Sequence, residues 1–386
     1  MIPFISLFKV HMPAAVDKPL LETLHSGYIG QGKKVEEFEA KVASRLGNPH
    51  VLSLNSGTSG LVLALRLAGV QPGDEVVTTP MTCMATNEPI LELGGTPVWA
   101  DIDGDSGLID PLDVARKITA HTKAIIGVDW GGFPCDIPSL MKVGAQHGIP
   151  VIEDAAHGFG SLFPDRRPVG GPTGADFTVF SFQAIKHITT VDGGLLVCKS
   201  VEDYKRGKLL RWYGIDREGE RKDLRCEEDV EEWGYKFHMN DVAATIGLVQ
   251  LDYLDGILKA QRANAAYYRM DIDPTEQYWL HRVPRHSGLF GESTFWIYNL
   301  LCRDAEDREN FRLYMEGQGI MASRVHVRND IHTVFLPYMK HLPGVDSFSE
   351  RQIAIPVHWA LTQEERDRVV AACNAYYQTL AVHAEA

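Results

Sequence analysis

Between about residues 50 and 200, short apolar segments alternate with segments of helical periodicity, and this alternation limits the folds available to the chain. Most apolar segments are continuous rather than alternating, which is typical of strands covered by helices on both faces. Residues 61–67 and 138–147 have the spacing of helices. The pattern predicts an α/β domain with a mostly parallel sheet flanked by helices. The predicted strands are residues 51–54, 75–79, 97–102, 124–130, 150–154, 177–182 and 194–198.

The remainder of the chain predicts a second, smaller domain. A chain of 386 residues is long for a single core and suggests about two domains. We expect an N-terminal arm and the large domain in residues 1–255, and a smaller C-terminal α+β domain in residues 256–386. A helix predicted at residues 240–255 would lead from one domain to the other.

The C-terminal part carries fewer signals. A strand is predicted at residues 296–302 and a helix at residues 308–317. The run Thr-Gln-Glu-Glu, which begins at Thr362 and ends at Glu365, has the pattern of a capping box. It predicts a final amphipathic helix that ends near Tyr376.

The composition argues against several classes of protein. A net charge of −13 argues against a general nucleic-acid surface, so local cations must meet any anionic substrate. The six cysteines include no CxxC pair, which predicts neither a zinc site nor a disulfide framework. No apolar run reaches the length of a membrane span, and the first residues lack the features of a secretion signal. We therefore expect a cytoplasmic protein without nucleic-acid or membrane partners.

Three motifs lie where strands are predicted to end. Lys186 lies just after one strand, Asp154 ends another, and the run Asn-Ser-Gly-Thr-Ser-Gly at residues 55–60 follows a third. Ligands of parallel sheets bind at the carboxyl ends of the strands. The motifs are therefore expected to meet at one edge of the sheet.

The residue types in these motifs predict a particular cofactor. A buried lysine amine binds protons less tightly and can form an imine with an aldehyde, which makes Lys186 the predicted Schiff-base lysine. The carboxylate of Asp154 would keep a pyridinium nitrogen protonated. A helix N-terminus containing Gly57, Thr58 and Ser59 would hold a phosphate. Together they predict an enzyme that uses pyridoxal 5′-phosphate (PLP).

Each residue also has an ordinary structural interpretation. Most lysines are solvated, Asp154 is also typical of a turn, and Thr58 and Ser59 are common helix caps. The Ser181 hydroxyl can reach the same phosphate, or cap locally in the same way. His157 can bond a ring hydroxyl of the cofactor or be satisfied within its turn. The agreement of several motifs favours the functional interpretation.

At these residues the chain resembles the sugar aminotransferases of the DegT/DnrJ/EryC1/StrS family, which belong to the aspartate aminotransferase class, PLP-dependent fold type I. The resemblance extends from about residue 5 to 255 and continues more faintly to the C-terminus. The matching segments are residues 30–39, 55–60, 73–77, 148–156, 181–194 and 234–239.

The resemblance implies a homodimer with active sites at the subunit interface. It also implies transfer of an amino group from glutamate to a nucleotide-linked keto sugar, and we expect C4 of a 4-keto-6-deoxyhexose. Lys186 would carry PLP and move a proton, Asp154 would pair with the ring nitrogen, and His157 would lie near the ring hydroxyl. The residues implied to hold the phosphate are Thr58, Ser59, Ser181 and, on the loop of the neighbouring subunit, Lys236.

The chain departs from the family pattern in several places. The family often has an aromatic ring over the cofactor face where this chain has Cys83, so a thiol contact or another stacking partner is expected. Lys236 stands where asparagine is frequent, and its cation can still meet the phosphate. In the segment 323–332, His326 and Arg328 are candidate contacts to the substrate or its diphosphate, with a solvated basic loop as the alternative.

Two other functions are open on the sequence. Related PLP-dependent sugar dehydratases replace the Schiff-base lysine with histidine, so Lys186, with His187 beside it, favours transamination. A catalytically silent PLP-binding sensor or interaction protein is the third hypothesis, and the pairing of Lys186 with Asp154 argues against it because binding alone needs no electron sink. The sequence leaves open the sugar, the nucleotide and the choice of C3 or C4.

Overall fold

A seven-stranded sheet organises the first two hundred residues in the computed structural model, which describes residues 3–217, 229–272 and 292–384. The strand order is β1-β7-β6-β5-β4-β2-β3. β3, β2, β4, β5 and β6 pair in parallel, whereas β7 is antiparallel to both β6 and β1. The predicted α/β fold with a mostly parallel sheet is confirmed. The strands are β1 (Val51–Leu54), β2 (Glu75–Thr78), β3 (Thr96–Trp99), β4 (Thr122–Val128), β5 (Val151–Asp154), β6 (Phe177–Ser181) and β7 (Gly194–Cys198).

Both faces of this sheet are buried, which explains the continuous apolar runs. Ile125 packs into one hydrophobic cluster and Ile126 into another, on opposite faces of the sheet. Val151 and Ile152 divide in the same way. The helices of this part are α1 (Asp17–His25), α2 (Lys33–Leu46), α3 (Gly57–Leu67), α4 (Met84–Glu92), α5 (Pro111–Lys117), α6 (Ile137–His147) and α7 (Val201–Leu210).

Two strands end two or three residues earlier than the sequence predicts, and β2 and β6 end one residue earlier. β3 ends at Trp99 rather than at residue 102, and the Asp101 side chain accepts the backbone N–H of Ile102 in the turn that follows. β4 ends at Val128 rather than at residue 130, because a 3₁₀ turn begins at Trp130. That turn, Trp130–Gly132, uses two glycines with positive φ.

A helix of 31 residues, α8 (Asp241–Asp271), follows the large sheet. It begins where the sequence predicts, because the Asn240 side chain caps it by accepting the N–H of Ala243 at 2.9 Å. It continues well beyond the predicted end at residue 255. The residues around Leu254 pack beneath the sheet, while Tyr268 belongs to a second hydrophobic cluster. The domain limit expected at residue 255 therefore falls inside one continuous helix.

The second cluster is formed by a two-stranded antiparallel sheet, the C-terminal part of α8 and two of the helices that follow it. Its last helix opens with the predicted capping box: the Thr362 N–H donates to Glu365 Oε2 at 2.8 Å, and the Glu365 N–H donates to Thr362 Oγ1 at 3.2 Å. This helix extends past Tyr376. The elements that follow α8 in the chain are β8 (Tyr298–Leu301), α9 (Ala305–Gly317), 3₁₀ turns at Asn329–Ile331 and Leu336–Tyr338, α10 (Pro343–Arg351), β9 (Gln352–Ile355) and α11 (Gln363–Ala384).

Within the described ranges, no helix combines the length and the apolar character needed to cross a membrane. Five cysteines in these ranges carry free thiols, and Cys226 lies outside the described residues.

Candidate active site

A cavity of about 360 Å³ opens at the carboxyl edge of the large sheet. It lies beside the ends of β5 and β6 and the beginning of α3, the place where ligands of such sheets bind. The structure thus brings together most of the residues that the sequence singled out. The predicted residues that line the cavity are Gly57, Thr58, Cys83, Asp154, His157, Ser181, Lys186 and His326.

Lys186 lies in the turn after β6, where its N–H donates to the Gln183 carbonyl at 2.9 Å. Burial lowers the pKa of its amine from 10.5 to about 8, and the nearby Cys83 and Asp154 partly oppose that shift. A substantial fraction of the amine is therefore neutral and nucleophilic in mildly alkaline solution.

Asp154 is the last residue of β5 and is 4% exposed. Its Oδ2 accepts the hydroxyl of Thr86 at 2.6 Å, and its Oδ1 accepts the N–H of Ala156 at 3.1 Å. Burial raises the pKa of this carboxyl, while the Thr86 and Ala156 hydrogen bonds and the Lys186 charge lower it. A cationic ring nitrogen at this position would supply further stabilisation for the ionised form. Thr86 was not predicted, because no local pattern shows that α4 brings this hydroxyl to the end of β5.

The N-terminus of α3 forms another part of the wall. Ser56 caps the helix by accepting the Ser59 N–H at 3.0 Å. The Ser59 hydroxyl turns away to donate to Asn55 Oδ1 at 2.6 Å, and Ser59 does not line the cavity. Thr58 is exposed, and a Cβ on Gly57 would lie 3.0 Å from Cβ of Ser181, so the helix start approaches the end of β6 closely.

Three stacked rings also line the cavity. The rings of His157 and Trp296 lie 3.8 Å apart at 14°, and those of His157 and His326 lie 5.6 Å apart at 18°. Burial lowers the pKa of His326 to about 4 and that of His157 well below its usual value, so both rings are neutral. Trp296 was not predicted as a site residue. Its only signal was a tryptophan at the start of a predicted strand, which is also typical of a core residue.

Cys83 lies at the N-cap position of α4 and lines the cavity. It is half-buried and carries a free thiol. The small side chain leaves room that an aromatic ring would fill.

Besides Ser59, two predicted residues do not line the cavity of their own chain. Arg328 is buried and its guanidinium is already paired, with Nε 2.6 Å from Asp330 Oδ1 and Nη1 in contact with Asp346. Asp330 is fully buried, so this pairing is part of the core. Lys236 is exposed, and its carbonyl accepts Asn55 Nδ2 at 3.3 Å.

These features fit the chemical groups of PLP. The amine of Lys186 can attach the aldehyde carbon, and the buried carboxylate of Asp154 can pair with a protonated ring nitrogen. The start of α3 offers N–H groups for the phosphate, and Gly57 has no side chain to obstruct it.

Comparisons with known proteins agree with this geometry. The model of the DegT/DnrJ/EryC1/StrS aminotransferase family matches residues 13–374. The structure is similar to that of AtS13 from Actinomadura melliaura, with a TM-score of 0.89 and 41% identity, covering 97% of this chain and 99% of that chain. It is similar to the sugar aminotransferase CalS13 from Micromonospora echinospora, with a TM-score of 0.89 and 37% identity, covering 97% and 100%. Spr1654 from Streptococcus pneumoniae, in its PLP form, matches with a TM-score of 0.86 and 28% identity, covering 98% and 99%.

Proposed function

The chain belongs to the DegT/DnrJ/EryC1/StrS aminotransferase family, and we propose that it transfers the amino group of glutamate to C4 of a nucleotide-linked 4-keto-6-deoxyhexose. As a member of this family it is a sugar aminotransferase that uses PLP. The observation that carries the proposal is the presence of the Lys186 amine and the buried Asp154 carboxylate in one cavity.

Each residue has a defined task in this proposal. Bound PLP supplies the electron sink that lets an amino group pass from donor to acceptor. Lys186 would hold the cofactor through its amine and would serve as the acid and base that moves a proton between a carbon of the substrate and a carbon of the cofactor. Asp154 keeps a proton on the ring nitrogen, and the hydroxyl of Thr86 fixes the carboxylate. The start of α3, with Thr58, and the Ser181 hydroxyl bind the phosphate.

The wall with the stacked rings contacts the substrates. His326 and His157 are neutral, so they can donate or accept hydrogen bonds with sugar hydroxyls without a charge of their own. Among the described residues, His326 Nε2 and His157 Nδ1 are buried without a hydrogen-bond partner. Such atoms are suited to a polar ligand.

A second copy of the chain completes the site in this proposal. Lys186 is the only lysine or arginine among the described residues that line the cavity, so a diphosphate needs cations from elsewhere. The exposed Lys236 can supply one to a neighbouring subunit. On and after α1, Leu21, Tyr28 and Ile29 are exposed apolar side chains, as expected where a homodimer forms.

A cytoplasmic location is also proposed, and the free thiols support it.

The visible absorption spectrum of the purified protein tests the cofactor and the donor together. We expect a band from PLP that moves to the pyridoxamine position when glutamate is added. A band that ignores glutamate but responds to another amino acid would overturn the proposed donor. The pyridoxamine form is then mixed with a panel of UDP-, GDP- and dTDP-linked keto sugars. Return of the original band with a 4-keto-6-deoxy sugar supports the acceptor, and a response only to 3-keto sugars or to carrier-free sugars would contradict it.

A further inference from the structure

Trp296 contacts the lysine segment at two points. The Nζ of Lys186 lies 3.9 Å from the centroid of the indole ring. The indole Nε1–H donates to the carbonyl of Ile185, the residue just before the lysine, at 3.0 Å. The indole is 3% exposed, so water competes little with either contact. One side chain thus holds both the tip of the lysine and the backbone that carries it.

The indole itself is held by other rings. His157 stacks on it at 3.8 Å and 14°, and Phe8 stacks at 4.9 Å and 29°. Phe8 comes from the N-terminal arm and His157 from the loop after β5. The indole plane is therefore fixed by parts of the chain far apart in sequence.

The backbone just before Trp296 has an unusual conformation, which places the indole ring in the cavity. Phe295 has φ of 50°, in the left-handed region that a residue with a Cβ rarely adopts. The residues before it are tied down: Thr294 Oγ1 donates to the His157 carbonyl at 2.7 Å, and Arg262 Nε donates to the Ser293 carbonyl at 2.9 Å. Unfavourable backbone conformations held by such contacts are concentrated at functional sites.

We propose that Trp296 is a positioning residue, which holds the amine of Lys186 at the cavity wall and stabilises its protonated form through the face of the indole. The proposal rests on the proposed role of Lys186 as the reactive lysine. When that lysine takes up a proton, burial opposes the positive charge. An electron-rich ring face offsets part of that cost, and indole is the most effective ring for this purpose.

The other groups around the amine do not replace this contribution. Burial keeps the pKa of His157, His187 and His326 low, so these rings are neutral. The Asp154 carboxylate is engaged by Thr86 and, in the proposed function, by the ring nitrogen. The titratable side chains that face the amine are Asp154, Cys83, His157, His187 and His326.

The test measures the Lys186 amine in the protein freed of cofactor. The reactivity of this lysine toward acetic anhydride is followed by mass spectrometry from pH 6 to pH 11, in the wild type and in Trp296→Leu. We expect the wild-type midpoint near pH 8. In Trp296→Leu it should fall by about 0.4–1.5 pH units, because the charged amine loses the ring face. A midpoint that stays in place or rises overturns the proposal.

Two further variants make the result specific. Trp130→Leu removes a similarly buried indole from the same core that does not line the cavity containing Lys186, and the midpoint of this variant should equal that of the wild type. An equal fall in this control overturns the proposal. Trp296→Phe keeps a weaker ring face and should show a smaller fall, so it decides the matter if the leucine variant does not fold. An unchanged midpoint in Trp296→Phe then counts against the proposal.

The measurement needs neither PLP nor a sugar. If the wild type accepts no keto sugar but the midpoint falls as expected, the proposed function fails and the role of Trp296 stands. If the sugar is accepted and the midpoint does not move, only the role of Trp296 is lost.

Discussion

The cavity has two walls that are built in different ways. The strand-end wall consists of Ser56, Gly57, Thr58, Asp154, Ser181 and Lys186, each at or just after the end of a strand in the large sheet. The second wall consists of Trp296 and His326. We call it the distal wall because both residues come from the part of the chain after α8, far in sequence from the large sheet. The parallel sheet positions the first wall, whereas tertiary packing positions the second. Residues that a sheet edge aligns can be inferred from local sequence, and residues that packing aligns cannot.

The largest effect is expected on the strand-end wall. In the proposed function Lys186→Ala removes the group that attaches the cofactor and moves the proton, so we expect the amino transfer rate to fall about 10⁴-fold or more. The measurement is the single-turnover rate with glutamate. Lys199→Ala, which removes an exposed lysine paired with Asp176 at 3.6 Å, is the matched control and should retain activity. Comparable activity in both variants would show that the strand-end wall is not the catalytic one.

A smaller effect on the same wall is expected from Thr86→Val. The Thr86 hydroxyl helps to lower the pKa of Asp154, so its removal raises that pKa and favours the neutral carboxyl. A hydrogen bond to a charged group contributes about 1.5–3 kcal/mol, so the acidic limb of the rate profile should move up by about 1–2 pH units. Thr178→Val is the control, because it removes an equally buried hydroxyl that donates to Glu153 instead. If the acidic limb moved by the same amount in both variants, the shift would not be due to the Thr86–Asp154 hydrogen bond.

Two substitutions in the distal region should have separate effects, one on protein stability and the other on substrate binding. Arg328→Gln breaks a buried ion pair with Asp330, so we expect a loss of about 3–5 kcal/mol in the free energy of unfolding. The KM for the sugar should change little. His326→Ala should do the reverse, raising KM about tenfold with little effect on stability, because it removes a hydrogen-bonding group from the cavity. Denaturant unfolding and steady-state kinetics distinguish the two. A large rise in KM for Arg328→Gln would restore that residue as a substrate contact.

The smallest effect on catalysis is expected from a fully buried carboxyl next to the strand-end wall, which acts on stability instead. Burial raises the pKa of Asp129 from 3.8 to about 8. The folded protein therefore holds this proton more tightly than the unfolded chain, and the resulting stability is complete below pH 3.8 and is lost progressively as the pH rises to about 8. Asp129→Asn can still accept the Cys135 N–H and cannot ionise. We expect the variant to be more stable than the wild type at pH 9 by at least about 1 kcal/mol.

Thermal unfolding of the protein freed of cofactor, at pH 5 and pH 9, measures this difference. Asp136→Asn is the control, since Asp136 also accepts a backbone N–H, at 3.1 Å, but is only half-buried. A pH dependence that survives unchanged in Asp129→Asn would assign it to another group.

The sequence predicts the strand-end wall because its physics is local. Continuous apolar runs specify buried strands, and polar residues directly after such runs lie at one sheet edge. Lys186, Asp154 and Thr58 were found in this way, and all line the cavity. Ser59 was misplaced because its hydroxyl has a closer partner in Asn55, which strand spacing does not show.

The prediction of the distal wall from the sequence was incomplete for a different reason. Nothing near Trp296 in sequence indicates that its ring meets Lys186, since that contact depends on how residues 292–301 pack against the large sheet. Arg328 was predicted as a contact to the substrate or its diphosphate, with a solvated basic loop as the alternative, but its guanidinium pairs with Asp330, two positions away, and with Asp346. The end of α8 was missed because Asp255 and Gly256 are typical of a turn, while Gly256 lies inside the helix with open space around it.

The continuity of α8 has a consequence for how the protein unfolds. At 1.5 Å per residue its 31 residues span about 46 Å, and they belong to both hydrophobic clusters. Melting either cluster removes the packing partner of half of this helix, which links the two cores energetically. We therefore expect a single cooperative calorimetric transition, with equal calorimetric and van't Hoff enthalpies, rather than two separate ones. A fragment cut near residue 255 would expose Leu254 and Ile257 at a severed helix and should aggregate rather than fold as an independent domain.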